Sequence, residues 1–212
     1  TSETASIGNR LSEQRPGNEE HAYDGLDRML TAGANSYAYD ANGNQLSAGT
    51  RTFTYDLANR LTTTIEGPTT TTYAYDGDGN RLQASTGAAA SDKTNYTWDV
   101  NGGLPQLVTE RGNDALRRRY VYGQRPISMS IGSDAFYYHY DPLGSVRDVT
   151  SETGATQLTY DYEPYGTIRA QTGTTLTNLL TFGGQYQDPT DLYHLRARQY
   201  DSTTGRFKLL IL

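Results

Sequence analysis

The chain has 212 residues, no cysteine, a formal net charge of −6 and a pI near 5.0. Without cysteine there is neither a disulfide framework nor thiol catalysis, and the acidic balance argues against a general nucleic-acid binder. No stretch is long and apolar enough to span a bilayer, and Thr1 does not open a signal peptide.

Hydrophobic residues make up only 35% and the mean hydropathy is −0.71, yet 18 tyrosines and many threonines are good strand formers. The expected core is therefore aromatic and hydroxyl-rich, of a kind that suits a partly hydrated cavity.

The first pattern in the chain is Gly8-Asn9-Arg10-Leu11, the second half of a repeat whose first half is missing, so the chain is expected to begin inside a longer array. Tyr23-Asp24-Gly-Leu-Asp27-Arg28-Met29-Leu30 follows. Next come Tyr37-Ala-Tyr39-Asp40-Ala-Asn42-Gly43-Asn44-Gln45-Leu46 and Tyr55-Asp56-Leu-Ala-Asn59-Arg60-Leu61, and then the fullest copy, Tyr73-Ala74-Tyr75-Asp76-Gly77-Asp78-Gly79-Asn80-Arg81-Leu82. The Tyr-Asp pairs at 23, 39, 55 and 75 lie 16, 16 and 20 residues apart, the length of one short hairpin.

In an extended strand Tyr73 and Tyr75 share a face and Ala74 takes the other. The Asp/Gly/Asn run then turns the chain, because these residues tolerate positive φ and bond their own backbone. A drifted copy, Tyr96-Thr-Trp98-Asp99-Val-Asn101-Gly102-Gly103-Leu104, puts Trp98 where the second tyrosine stood. Such units cannot bury their own face and must stack on their neighbours. The fold class expected is all-β: stacked antiparallel hairpins in a spiralling strip, the tyrosines inside.

Beyond about residue 120 the motifs become more particular: Tyr140-Asp141-Pro142-Leu143-Gly144-Ser145, Tyr162-Glu163-Pro164-Tyr165-Gly166, Phe182-Gly183-Gly184-Gln185, and Tyr193-His194-Leu195-Arg196-Ala197-Arg198-Gln199-Tyr200-Asp201 through Gly205-Arg206-Phe207. This half resembles the Rhs repeat-associated core domain, and the first half is similar to the Tyr-Asp repeats that precede it. The division expected is 1–115 for the hairpin repeats and 116–212 for the core domain.

The resemblance implies a β-strip that closes into a hollow barrel or cocoon, as in Rhs toxins, the C component of ABC insecticidal toxins and the shell of teneurins. There the core domain plugs one end and a C-terminal toxin is the enclosed cargo. It also implies secretion or display at a bacterial surface. The family usually continues past Gly-Arg-Phe into a stretch with two self-cleaving aspartates. Here Phe207 is followed by Lys208-Leu209-Leu210-Ile211-Leu212, so self-cleavage is not expected: the chain reads as C-terminally truncated relative to the family, or as a relative that keeps the shell and has lost the cargo.

Other chemistry finds little support. Asp76-x-Asp78-x-Asn80 and Asp40-x-Asn42-x-Asn44 begin like calcium loops, but Arg81 and Gln45 stand at the sixth position and Gly87 and Arg51 at the twelfth. His21, His139 and His194 lie in separate segments without metal spacing. A carboxylate dyad drawn from Asp141, Asp161, Asp188, Asp191 or Asp201 is conceivable, though turn bonding explains each. Arg117-Arg118-Arg119 reads as a solvated hairpin edge, and Asn95-Tyr96-Thr97 is a formal glycosylation sequon.

The expectation is a structural, non-catalytic wall and end plug with no catalytic, cofactor or metal residues. Its partners would be the rest of its own polypeptide or other copies through exposed sheet edges, and an enclosed toxin. The alternatives are a self-assembling fibre or glycan-binding adhesin with exposed tyrosine rows, and a self-cleaving aspartyl protease plug.

Overall fold

The structure is a computed structural model that describes residues 12–13, 19–173 and 176–209. The half repeat Gly8–Leu11 lies outside the described residues. Two compact units divide between Thr70 and Thr71, the second running to Lys208.

The first unit is an antiparallel meander of β1 (Ser12–Glu13), β2 (Glu19–Tyr23), β3 (Met29–Ala32), β4 (Asn35–Tyr39), β5 (Gln45–Ala48), β6 (Arg51–Tyr55) and β7 (Leu61–Glu66). β8 (Thr69–Tyr75) carries the chain into the second unit. There it pairs with β9 (Arg81–Ser85), and the meander continues through β10 (Lys93–Asp99), β11 (Gln106–Gly112), β12 (Ala115–Tyr122), β13 (Pro126–Ile131), β14 (Asp134–Tyr140), β15 (Val146–Ser151), β16 (Thr156–Tyr162) and β17 (Ile168–Thr172). A separate four-stranded sheet closes the unit: β18 (Tyr186–Gln187), β19 (Leu192–Leu195), β20 (Arg198–Asp201) and β21 (Arg206–Phe207). Only two single turns of 3₁₀ helix, Ala90–Asp92 and Phe182–Gly184, interrupt the strands among the described residues. The architecture is all-β stacked hairpins, as the repeats imply.

One turn builds the repeats. The backbone N–H of Asp24, Asp40, Asp56, Asp76, Asp141 and Glu163 donates to the carbonyl four residues on, and the N–H three residues on donates back. The residue at that third position is left-handed: Asp27, Gly43, Asn59, Gly79, Gly144 and Gly166 all have φ between 60° and 95°. The aspartate side chain locks the turn. In Asp76, Oδ1 accepts from the N–H of Asp78 (3.0 Å) and Asn80 (2.8 Å), and Oδ2 accepts from Asn80 Nδ2 (2.9 Å). Asp40 and Asp56 repeat the pattern, Arg60 Nε replacing the amide in the latter. The leading aspartate of each run that begins like a calcium loop thus spends its carboxylate on its own turn.

Each turn carries a β-bulge. The register shifts just before Tyr23, Tyr39, Tyr55, Tyr75, Trp98, Tyr122, Tyr140 and Tyr162. The extra residue is the second of the return strand, except in β11, where it is the third. Inward side chains there are consequently three apart rather than two: Met29 and Ala32, Leu61 and Thr64, Leu107 and Glu110, Pro126 and Met129, Val146 and Val149. On the outgoing strand the expected alternation holds, with Tyr73 buried, Ala74 exposed and Tyr75 half-buried.

Candidate functional site: a buried charge seam beneath the C-terminal sheet

The bulge puts Arg81 and Ala84 inward and leaves Leu82 outside. Arg81 thus occupies the slot that Met29, Leu61 and Val146 fill elsewhere, and it is 1% exposed. Glu110 sits in the second inward slot of the following repeat, also at 1%. A buried charge is tolerated only when paired and hydrogen-bonded, and both partner sets come in part from the chain's last forty residues.

Arg81 Nη1 donates to Asp188 Oδ1 at 2.5 Å, across 107 residues of sequence, and neither side chain is exposed by more than 1%. Its guanidinium lies 4.5 Å from the centre of the Tyr73 ring, a cation–π contact. Gln199's amide oxygen accepts from Arg81 Nη2 and from His194 Nδ1, each at 2.9 Å. This places the proton of His194 on Nδ1. Tyr73 also shares a hydroxyl contact with Thr190 at 3.3 Å.

Glu110 Oε2 accepts from Arg118 Nη1 (3.0 Å) and the Tyr186 hydroxyl (3.3 Å), and Oε1 accepts from the Tyr120 hydroxyl. The Tyr96 and Tyr186 hydroxyls are 3.4 Å apart, with the rings edge to face. Burial first, then neighbouring phenols and Glu110, push the Tyr186 hydroxyl well above its ordinary pKa, so it remains a donor. Burial likewise holds His194 well below its usual value, Arg81 and Arg196 adding to the effect. Asp188 is lifted by burial against the pull of Arg81. Arg81 stays charged, because Asp188 and the nearby tyrosines outweigh its burial.

Further along, Tyr138's hydroxyl donates to Asn178 Oδ1 (3.1 Å), Gly183 N–H to Ser145 Oγ (3.0 Å), Tyr193's hydroxyl to the Gly166 carbonyl (2.9 Å) and Arg196 Nε to the Pro105 carbonyl (3.0 Å). A run of rings, Tyr162, Phe182, Tyr193, Tyr200 and Phe207, ties β16 to the small sheet at centroid spacings from 5.4 to 6.3 Å. The C-terminal segment therefore lies on the tyrosine face of β8–β17 within this unit. The buried Tyr73, Tyr96, Tyr120, Tyr138 and Tyr160 form that face.

Four of the five aspartates considered for a dyad are each taken up by a different partner. Asp141 caps its turn, Asp161 pairs with Arg147 at 2.7 Å, Asp188 with Arg81 and Asp201 with Lys208 at 2.6 Å. Asp191 is the left-handed residue of the Asp188 turn. Among the histidines, His139 is exposed and meets Thr150 at 2.9 Å, while His21 is buried beside Tyr23. No group of three potential metal ligands occurs among the described residues. Arg118 departs from the solvated-edge reading: alternation along β12 puts it on the same side as Tyr120, where the buried Glu110 requires a cation. The seam itself was hidden from sequence. Its one trace is that Arg81 falls, on aligning the repeats, where Met29, Leu61 and Val146 stand in three others and Gln45 in a fourth.

These hairpins and their tyrosine face define a YD-repeat shell fold. The chain belongs to the teneurin YD-shell family, whose model matches residues 6–209. No curated protein matches. Among solved structures, the chain is similar to TcdB2-TccC3 (15% identity, TM-score 0.63, covering 91% of this chain and 12% of that one). It is also similar to the Photorhabdus luminescens Tc holotoxin pore (14%, TM-score 0.66, covering 92% and 12%) and to TcdB2-TccC3 without its hypervariable C-terminal region (14%, TM-score 0.58, covering 91% and 14%). The chain spans less than a sixth of the length of each of these chains. At such identity the likeness is one of fold.

Proposed function

We propose that this chain is a non-catalytic wall segment of a bacterial Rhs-type toxin shell. Residues 116–212 form its core domain, and the segment after β17 is the plug that seals the tyrosine face. The observation that carries this reading is the seam: Arg81 and Glu110 replace apolar core residues and are answered by Asp188, Gln199 and Tyr186 from the closing segment. In this reading the charged slots serve to fix register and partner choice rather than to add stability. The remaining partners in this reading are the rest of its own polypeptide, joined through sheet edges, and an enclosed toxin. Export or surface display follows from that role, and among the described residues no helix is long and apolar enough to cross a membrane. The adhesin alternative requires exposed tyrosine rows, whereas the first tyrosines of the second unit's repeats are buried.

Amide hydrogen exchange on the 212-residue chain tests the plug. Amides of β18–β20 should be as protected as those of β9–β16, and Asp188→Asn should raise exchange in the C-terminal segment well before the wall. A segment that exchanges freely in the wild-type chain would refute the plug role.

A further inference from the structure

Beside the seam a pocket of about 200 Å³ opens among β10–β13 and the closing segment, lined by Trp98, Gln106, Tyr122, Gln124, Arg125 and Arg196 among others. No aspartate or glutamate lines it. Arg196 is half-buried, and its Nε donates to the Pro105 carbonyl, which fixes the plane of the guanidinium. Arg125 is exposed, its guanidinium 5.0 Å from the centre of the Tyr140 ring. Neither arginine makes an ion pair among the described residues.

Arg196 also holds φ at 58° in the turn between β19 and β20, a conformation suited to Asn or Gly. Turn chemistry therefore does not account for an arginine there. His194, the other titratable cation of the wall, is kept neutral by burial and by the Arg81 and Arg196 charges. The wall is thus two unneutralised guanidinium groups with aromatic rings and neutral amides, in a chain of net charge −6.

We propose that this pocket binds a small organic carboxylate of the size of a single uronic acid. Its carboxylate would lie between Arg196 and Arg125, its ring against Trp98 and Tyr122, and its hydroxyls on Gln106 and Gln124. A cavity of about 200 Å³ has room for a ligand of monosaccharide size. A guanidinium fork matches a planar carboxylate in two parallel bonds, and aromatic walls favour an organic body over a bare inorganic ion.

Titration calorimetry on the 212-residue chain tests this with four probes: D-galacturonate, L-glutamate, D-galactose and inorganic phosphate. Saturable binding of galacturonate, at least about tenfold tighter than galactose and weakened about tenfold or more by Arg196→Gln, is the expected result. Glutamate matching galacturonate would assign recognition to the carboxylate alone and glutamate failing would assign it to the acidic sugar, both within the proposal. Arg125→Gln alters an exposed side chain and should fold normally, so it decides the matter if Arg196→Gln does not fold. Equal binding of galactose, binding of phosphate alone, unchanged affinity in both variants, or no binding would each overturn the proposal.

Discussion

At the scale of single residues, the second aromatic of a repeat is conserved in role rather than identity along this chain. Tyr55, Tyr140 and Tyr162 each donate a hydroxyl proton to the carbonyl of the first residue of a return strand in the preceding repeat, at Gln45, Pro126 and Val146. Trp98 does the same through Nε1 to Arg81 at 2.7 Å. The position needs a flat ring that ends in a donor, which is why Trp can stand for Tyr. Tyr162→Phe and Trp98→Phe should each lose about 1 kcal/mol in urea unfolding followed by circular dichroism. Arg81 is the sharper case. Arg81→Met alone strands Asp188 and should cost about 3 kcal/mol or more, whereas the double change Arg81→Met with Asp188→Leu should return to within about 1–2 kcal/mol of the parent. Additive losses would show that the pair is not coupled.

At the scale of the element, the turn explains both the Tyr-Asp signature and its acid response. In Asp76 the Asn80 side-chain bond leads the backbone bonds in lowering the pKa; in Asp24, Asp40 and Asp56 burial raises it, but turn bonds outweigh burial. A carboxylate with a depressed folded pKa contributes stability that is present above its unfolded value, near 3.9, and lost as pH falls through the folded value. His194, also depressed, withdraws stability earlier, as pH falls below its unfolded value of about 6.5. Asp188, which is raised, acts in the opposite sense. The unfolding midpoint should therefore decline in two stages on acidification, and His194→Gln should flatten the first. The glycines differ by surroundings. An alanine methyl at Gly79 meets nothing within 4 Å and costs only its left-handed φ of 86°, about 1 kcal/mol. At Gly166, with φ of 95°, it would collide with the Phe182 ring, so Gly166→Ala should be markedly worse in the same assay.

At the scale of the whole molecule, a meander leaves terminal strands whose backbone groups seek partners. Light scattering combined with small-angle X-ray scattering measures the consequence. A 23.4 kDa monomer with a radius of gyration of about 17 Å is expected if the strands are satisfied within one copy. A multiple of that mass would shift the reading from shell segment to self-assembling fibre.

The fold class was legible in the sequence, because a turn that needs a carboxylate, a left-handed residue and two flanking aromatics writes its requirements locally. Repeating it leaves a period that any reading along the chain recovers. The tyrosine face was legible for the same reason: alternation on the outgoing strand is a property of the backbone. What only the tertiary structure decided is which residues of the return strand point inward, since the bulge changes their spacing from two to three without any residue announcing it. That shift turns Arg81 inward and Leu82 out, against their hydropathy. It was settled by Asp188, 107 residues away, because a buried charge is stable only where the fold delivers its counter-charge, and no local pattern encodes a partner so distant.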